Sequence, residues 1–210
     1  MEADFWLQRW GKREIGFHQV EINPYLEQYW PSLKLAREST VLVPLCGKSR
    51  DMRWLAQLGH HVVGVELCEA AVQEFFEESK VQPTVDQQGS FQRYSAENVE
   101  LLVGDFFALA AEDVQEVAGV YDRAALVALP PEMRRDYVNV LAEIVPAKVQ
   151  TLLITFEYRR GEREGPPFSI DRDAVKSLFD GRCEINVLDS QPFDLRGVEA
   201  TEHAFRLSYR

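Results

Sequence analysis

Thr40-Val41-Leu42-Val43-Pro44-Leu45-Cys46-Gly47-Lys48-Ser49 and His61-Val62-Val63-Gly64-Val65-Glu66 decide how this chain folds. Each opens on a short apolar run rich in branched side chains, suited to a strand buried on both faces. Between them Ser49 to Leu58 reads as a helix that stops at Gly59. Strand, helix, strand is the parallel unit with a right-handed crossover. The alternation continues down the chain. Ala70 to Glu78 is helical, Val99 to Val103 is a third strand ending at Gly104-Asp105, and Gly119 to Asp122 is a fourth. Pro130-Pro131 opens a helix to about Val145, Val149 to Phe156 is a fifth strand, and Asp171 to Leu178 is helical. Cys183 to Leu188 and Ala204 to Tyr209 read as a closing hairpin. The expected fold is α/β: a Rossmann-like, seven-stranded, mostly parallel sheet with helices on both faces and one antiparallel strand.

Composition narrows the class of partner. With 210 residues the chain holds one sizeable core, read as a single domain over residues 1–210. A net charge of −11 repels phosphate backbones and anionic lipid, so neither nucleic acid nor membrane is expected. Cys46, Cys68 and Cys183 are an odd set with no disulfide framework, which points to reduced thiols and a cytoplasmic setting. The start, Met1-Glu2-Ala3-Asp4, has no basic n-region, and no apolar run reaches membrane-spanning length. Residues 1–38 are expected to form a helical, aromatic lid, with Phe5, Trp6, Trp10, Phe17, Tyr25, Tyr29 and Trp30 in two short helices joined through Gly11 and Gly16. Asn23-Pro24 marks the start of the second helix. A monomer is expected.

Open parallel sheets bind ligands beyond the carboxyl ends of their strands, so the residues just after each strand carry the information. Gly47 follows the first strand, where a turn lets backbone approach a ligand. Glu66 closes the second, where an acid accepts hydrogen bonds from both hydroxyls of a ribose. Gly47-Lys48-Ser49 looks like the end of a phosphate-binding loop, but Leu42 stands where that motif needs its first glycine. One glycine also stands where pyrophosphate-binding sheets use three, which disfavours a nicotinamide oxidoreductase. S-adenosylmethionine has a ribose and base but no phosphate, and aromatic rings can hold its sulfonium. His60 and His61 point to opposite faces of a strand and cannot share a metal; no metal is expected. The unactivated Cys46 thiol reads as packing.

The run Val41 to Ser49 with Asp51-Met52 and Trp54-Leu55-Ala56 resembles the cofactor loop of the thiopurine S-methyltransferase family, class I S-adenosylmethionine-dependent enzymes, and most closely its bacterial members. Gly59 to Leu67, Gly104-Asp105-Phe106-Phe107, Tyr121 to Pro131, Gly165-Pro166-Pro167-Phe168 and the N-terminal Trp6, Trp10, Phe17 and His18 extend the likeness over nearly the whole chain. The resemblance implies that Leu45 and Gly47 contact the methionine portion of S-adenosylmethionine, Glu66 the ribose, and Asp105 and Phe106 the adenine. It implies that Trp6, Trp10 and Phe17 close over the cofactor, and that Arg123, the one catalytic candidate and also a cofactor-binding residue, sits beside the cofactor carboxylate and the incoming substrate. Phe17, Arg123 and Phe168 would line the substrate site. The activity implied is methyl transfer to the sulfur of thiopurines or aromatic thiols, with selenium or tellurium species as further acceptors, S-adenosylhomocysteine as product, and detoxification or tellurite resistance as the role. A cofactor-binding module of the same fold without catalysis is the alternative.

Overall fold

Thr40–Pro44 forms β1 and His61–Glu66 forms β2, paired in parallel with Val41 beside Val62 and Pro44 beside Val65. The computed structural model describes residues 3–159 and 161–210; Met1 and Glu2, the first two residues of the expected lid, and Arg160 lie outside the described residues. Beyond β2 lies β5 (Val99–Val103), and on the other side of β1 lie β6 (Val117–Asp122) and β7 (Gln150–Tyr158), all parallel. Three helices follow their strands in sequence: α3 (Asp51–Gln57), α4 (Glu69–Ser79) and α5 (Pro131–Ile144), the last opened by Pro131 at a position where its missing N–H costs nothing.

Alternate residues of β1 enter different cores. Val41 and Val43 pack with Met52 and Leu55 of α3, Val72 and Phe75 of α4, and Leu26 of α2 (Pro24–Tyr29). Leu42 packs with Tyr137 and Leu141 of α5 and with Val175 and Phe179 of α6 (Arg172–Phe179). The sheet is therefore covered on both faces, as its continuous apolar strands require. Asn23 caps α2 by accepting from the N–H groups of Tyr25 and Leu26. The remaining helix, α1 (Ala3–Gly11), begins the described chain.

The mixed α/β fold is as the sequence indicates, with a correction to its margins. The sheet has nine strands, in the order β3-β4-β5-β2-β1-β6-β7-β9-β8, and two of them, β4 and β9, run against the rest. The unexpected pair is the hairpin of β3 (Thr84–Gln88) and β4 (Phe91–Ala96) at one edge. The first four residues of β3 are exposed, and β4 buries every third residue rather than every second. Neither strand shows the alternation that identifies a half-buried strand. The closing hairpin is longer than its apolar runs suggest: β8 spans Cys183–Asp194 and β9 spans Glu199–Tyr209. Its distal half is polar in sequence yet carries the turn over the carboxyl ends of the parallel strands. No helix among the described residues is long and apolar enough to cross a membrane.

Candidate active site

The carboxyl ends of β1, β2, β5 and β6 converge on a cavity of about 710 Å³. Its floor begins with the turn after β1. Leu45 (φ 48°) and Gly47 (φ 54°) both adopt left-handed backbone, on either side of Cys46. For Leu45 this conformation costs on the order of 1 kcal/mol and persists because the surroundings dictate it. The Cys46 N–H donates to the Val65 carbonyl at 2.9 Å and the Gly47 N–H to Glu66 Oε2 at 2.8 Å. The turn is thus fastened to the end of β2 at both backbone and side chain.

Glu66 is buried, and its second oxygen accepts from the Cys68 N–H at 2.8 Å. Burial raises its pKa, while the N–H groups of Cys68, Gly47 and Leu67 favour the charged form and restrain the rise. A carboxylate has about four lone-pair directions. Two are committed to the N–H groups of Gly47 and Cys68 and the Leu67 N–H also faces the carboxylate, which leaves acceptor capacity for ribose hydroxyls. The Glu66 carbonyl also accepts from Gly104 N–H at 2.9 Å, drawing the end of β5 beside it. There the exposed Asp105 caps the turn Phe106–Ala108 by accepting from the Phe107 N–H at 3.0 Å with Oδ1. Phe106 is buried and packs on Tyr137, ring centroids 5.0 Å apart.

Asp122 closes β6, Arg123 follows it, and the two separate in role. Asp122 turns inward and accepts from the Tyr137 hydroxyl at 2.8 Å and from the N–H groups of Ala125 and Leu126. Burial pushes its carboxyl up to about 6, against those hydrogen bonds. Arg123 lines the cavity, half-buried, and has no ion-pair partner among the described residues. The alternative for this arginine is a structural ion pair with Asp122 or another carboxylate; none is formed among the described residues, although the charge of Arg123 offsets part of the burial-driven rise in the Glu202 pKa. One residue back, the Tyr121 hydroxyl donates to Asp51, which also accepts from the Asn23 N–H at 3.0 Å. This bridge fixes the start of α2 against β6 and α3.

The roof comes from the N-terminal segment. Trp6 and Trp10 each meet Phe17 edge-on at 5.7 Å, and Trp10 packs with Cys68 and Ala71 at the start of α4. A Cβ on Gly47 would lie 3.4 Å from the Trp10 ring, an ordinary contact, so the left-handed backbone rather than the space beneath the indole favours glycine here. The eight residues Trp6, Trp10, Phe17, Leu45, Gly47, Glu66, Asp105 and Phe106 therefore line one cavity together with Arg123. Phe168 does not. Its ring lies over Gly165, near the Arg134 guanidinium at 5.6 Å, while Gly165, Pro166 and Pro167 form the wall. Sequence reasoning missed Phe193, Leu195 and Arg196, which the turn between β8 and β9 brings to the mouth. The Arg196 guanidinium covers Gly16, whose absent side chain leaves room for it. No local signal marks these residues, because the polar half of the hairpin reaches the site only through its antiparallel return. His18 also lines the cavity, and burial followed by the charge of Lys48 lowers its pKa. Burial drives the Cys46 thiol well above its usual range, which removes it as a nucleophile. No cluster of metal-ligating side chains occurs among the described residues.

These residues fit S-adenosylmethionine. Glu66 keeps acceptor capacity for a ribose, the left-handed turn exposes backbone for the amino-acid end, and aromatic rings roof the place between. A family profile described as thiopurine S-methyltransferase (TPMT) matches residues 1–207. The thiopurine S-methyltransferase of Pseudomonas syringae pv. pisi is 49% identical over 91% of this chain and 88% of its own. That of Azotobacter vinelandii is 48% identical over the whole of both chains. Among solved structures, the Burkholderia thailandensis 1,6-didemethyltoxoflavin-N1-methyltransferase, with bound 1,6-didemethyltoxoflavin and S-adenosylhomocysteine, superposes with a TM-score of 0.67 at 16% identity, covering 98% of this chain and 86% of that one. A methyltransferase from Anabaena variabilis gives 0.67 at 16% identity, over 99% and 95%. At such identity the structural likeness speaks for the fold alone.

Proposed function

The chain belongs to the thiopurine S-methyltransferase family, an S-adenosylmethionine-dependent methyltransferase family, and on that premise we propose that it methylates the sulfur of thiopurines and aromatic thiols. The observation that carries the reading is Arg123, without an ion pair among the described residues, in a cavity walled by aromatic rings that also holds a carboxylate with capacity for a ribose. When bound, the cofactor supplies an activated methyl group on a good leaving group. What the chain must add is alignment and the exclusion of water, which can lower the barrier by several kcal/mol. Glu66, Leu45, Gly47, Asp105 and Phe106 are proposed to hold the donor, and residues 1–38, through Trp6, Trp10 and Phe17, to cover it. Arg123 always carries its charge and is proposed to favour the anionic form of the acceptor.

A soft acceptor fits a site without a strong base at any strand end, because thiopurines lose their proton near neutral pH. Reduced selenium and tellurium species share that softness and are proposed as further acceptors, with detoxification as the role. The proposed working form is a cytoplasmic monomer. The test is a panel of thiopurines, aromatic thiols, selenium and tellurium compounds, and the matched purine and phenol oxygen counterparts, followed by release of S-adenosylhomocysteine. Turnover confined to the sulfur, selenium and tellurium members supports the proposal, and preferential turnover of the oxygen counterparts overturns it. Cofactor binding with no turnover on any member would instead mean a binding module.

A further inference from the structure

Lys48, next to the glycine of the cofactor loop, is buried, with 6% of its side chain exposed. Both of its partners lie on one face of α4: Glu74 Oε2 and Glu78 Oε1, each 2.7 Å from Nζ and one helical turn apart. Burial opposes the charge on Lys48, but the hydrogen bonds of the two glutamates outweigh it and raise its pKa. The other oxygen of Glu74 is also engaged. Oε1 lies 3.2 Å from the guanidinium of Arg13, in the loop between Trp10 and Phe17, whose side chain is 72% exposed. One carboxylate therefore joins a cation of the cofactor loop to a cation of the aromatic roof, on the helix whose first turn receives Trp10.

We propose that Glu74 is a positioning residue that ties the aromatic roof to the cofactor loop, so that the roof stays closed while S-adenosylmethionine or its product is held. This rests on the proposal that the N-terminal segment closes over the cofactor. The division of labour follows from the partner list. Lys48 has a second carboxylate and stays paired without Glu74. Arg13 has no other ion pair among the described residues, and without Glu74 the roof loses its charged link to α4. Glu78 is ion-paired with Lys48 and meets the N-terminal segment only through the charge of His18, with no ion pair to that segment among the described residues. Because the Arg13 end is exposed, the link is weak and sensitive to salt.

The test compares Glu74→Gln, Glu78→Gln, Arg13→Gln and the double variant Arg13→Gln/Glu74→Gln, all with S-adenosylhomocysteine as the probe. The readouts are its dissociation rate, followed by Trp fluorescence in stopped flow, and cleavage of the segment by a protease that cuts after aromatic residues. Dissociation should quicken about two- to fivefold in Glu74→Gln and in Arg13→Gln, the range of an exposed ion pair. The double variant should go no further, Glu78→Gln should behave as wild type, and high salt should erase the differences. Arg13 is too exposed for its change to threaten folding, so its variant keeps the proposal testable if Glu74→Gln is unstable. Equal effects of Glu74→Gln and Glu78→Gln, or an inert Arg13→Gln, would reduce Glu74 to a partner of Lys48 and overturn the proposal. If the probe protects nothing in the wild-type segment, the closing roof itself is wrong, and the link falls with it.

Discussion

Glu66→Gln tests the cofactor site while nearly preserving its shape. The native carboxylate accepts from Gly47 N–H and Cys68 N–H, both at 2.8 Å, and is proposed to accept from two ribose hydroxyls as well. An amide keeps one acceptor oxygen and presents an NH2 group where the other oxygen stood. One of the two backbone N–H groups then loses its partner, which costs about 1–3 kcal/mol. Part of that is recovered, because burial already opposes the charge at this position. A ribose hydroxyl loses its charged acceptor with no such compensation, at about 1.5–3 kcal/mol. Affinity should thus suffer more than stability. Titration calorimetry with S-adenosylhomocysteine should show Kd rising roughly tenfold to a hundredfold, while urea unfolding shows a smaller loss. A folded variant with unchanged Kd would remove Glu66 from the cofactor site.

Three further outcomes follow from the geometry. Arg123→Lys keeps the charge but not the planar fork, so kcat should fall by about tenfold or more with little change in cofactor Kd; normal kcat at saturating substrate would return Arg123 to a purely structural role. Asp122 has its folded pKa raised from 3.8 to about 6, so its contribution to stability is complete at acid pH and lost as pH rises through about 6. The unfolding free energy of wild type relative to Asp122→Asn should therefore increase on acidification through that window, and a difference independent of pH would exclude the shift. Gly64→Ala would bring a Cβ within 2.5 Å of Leu101 and 2.8 Å of Cys46 Sγ. The cost should be about 1–3 kcal/mol in urea unfolding, and a neutral substitution would show that these neighbours can yield.

The parallel centre of the sheet is legible because β1, β2, β5, β6 and β7 are covered by helices on both faces and read as mostly apolar, β-branched runs, broken at single polar positions such as Glu100 of β5. That burial is a property of the strand itself. The edges are different. Thr84 to Gln88 pairs through its backbone and exposes its first four side chains, so no apolar alternation reports the pairing; its polar mark, the cross-strand ion pair of Asp86 with Arg93 at 2.8 Å, reads in sequence like any solvated pair of charges. The site divides the same way. Gly47, Glu66, Asp105 and Arg123 announce themselves by following strands. Arg196 and Phe193 reach the cavity through the fold of a distant hairpin, and Lys48, which resembles part of a phosphate loop in sequence, turns out to be held by two glutamates of α4.

The most direct measurement of sulfur methylation is a competition. A thiopurine and its oxygen counterpart, at equal concentration, are offered to the purified protein with S-adenosylmethionine, and the methylated products are separated and weighed by mass spectrometry. The methyl group should go to sulfur, with S-adenosylhomocysteine formed in equal amount. Preference for the oxygen compound, or cofactor turnover with neither product formed, would contradict an S-methyltransferase while leaving the fold and the cofactor site in place.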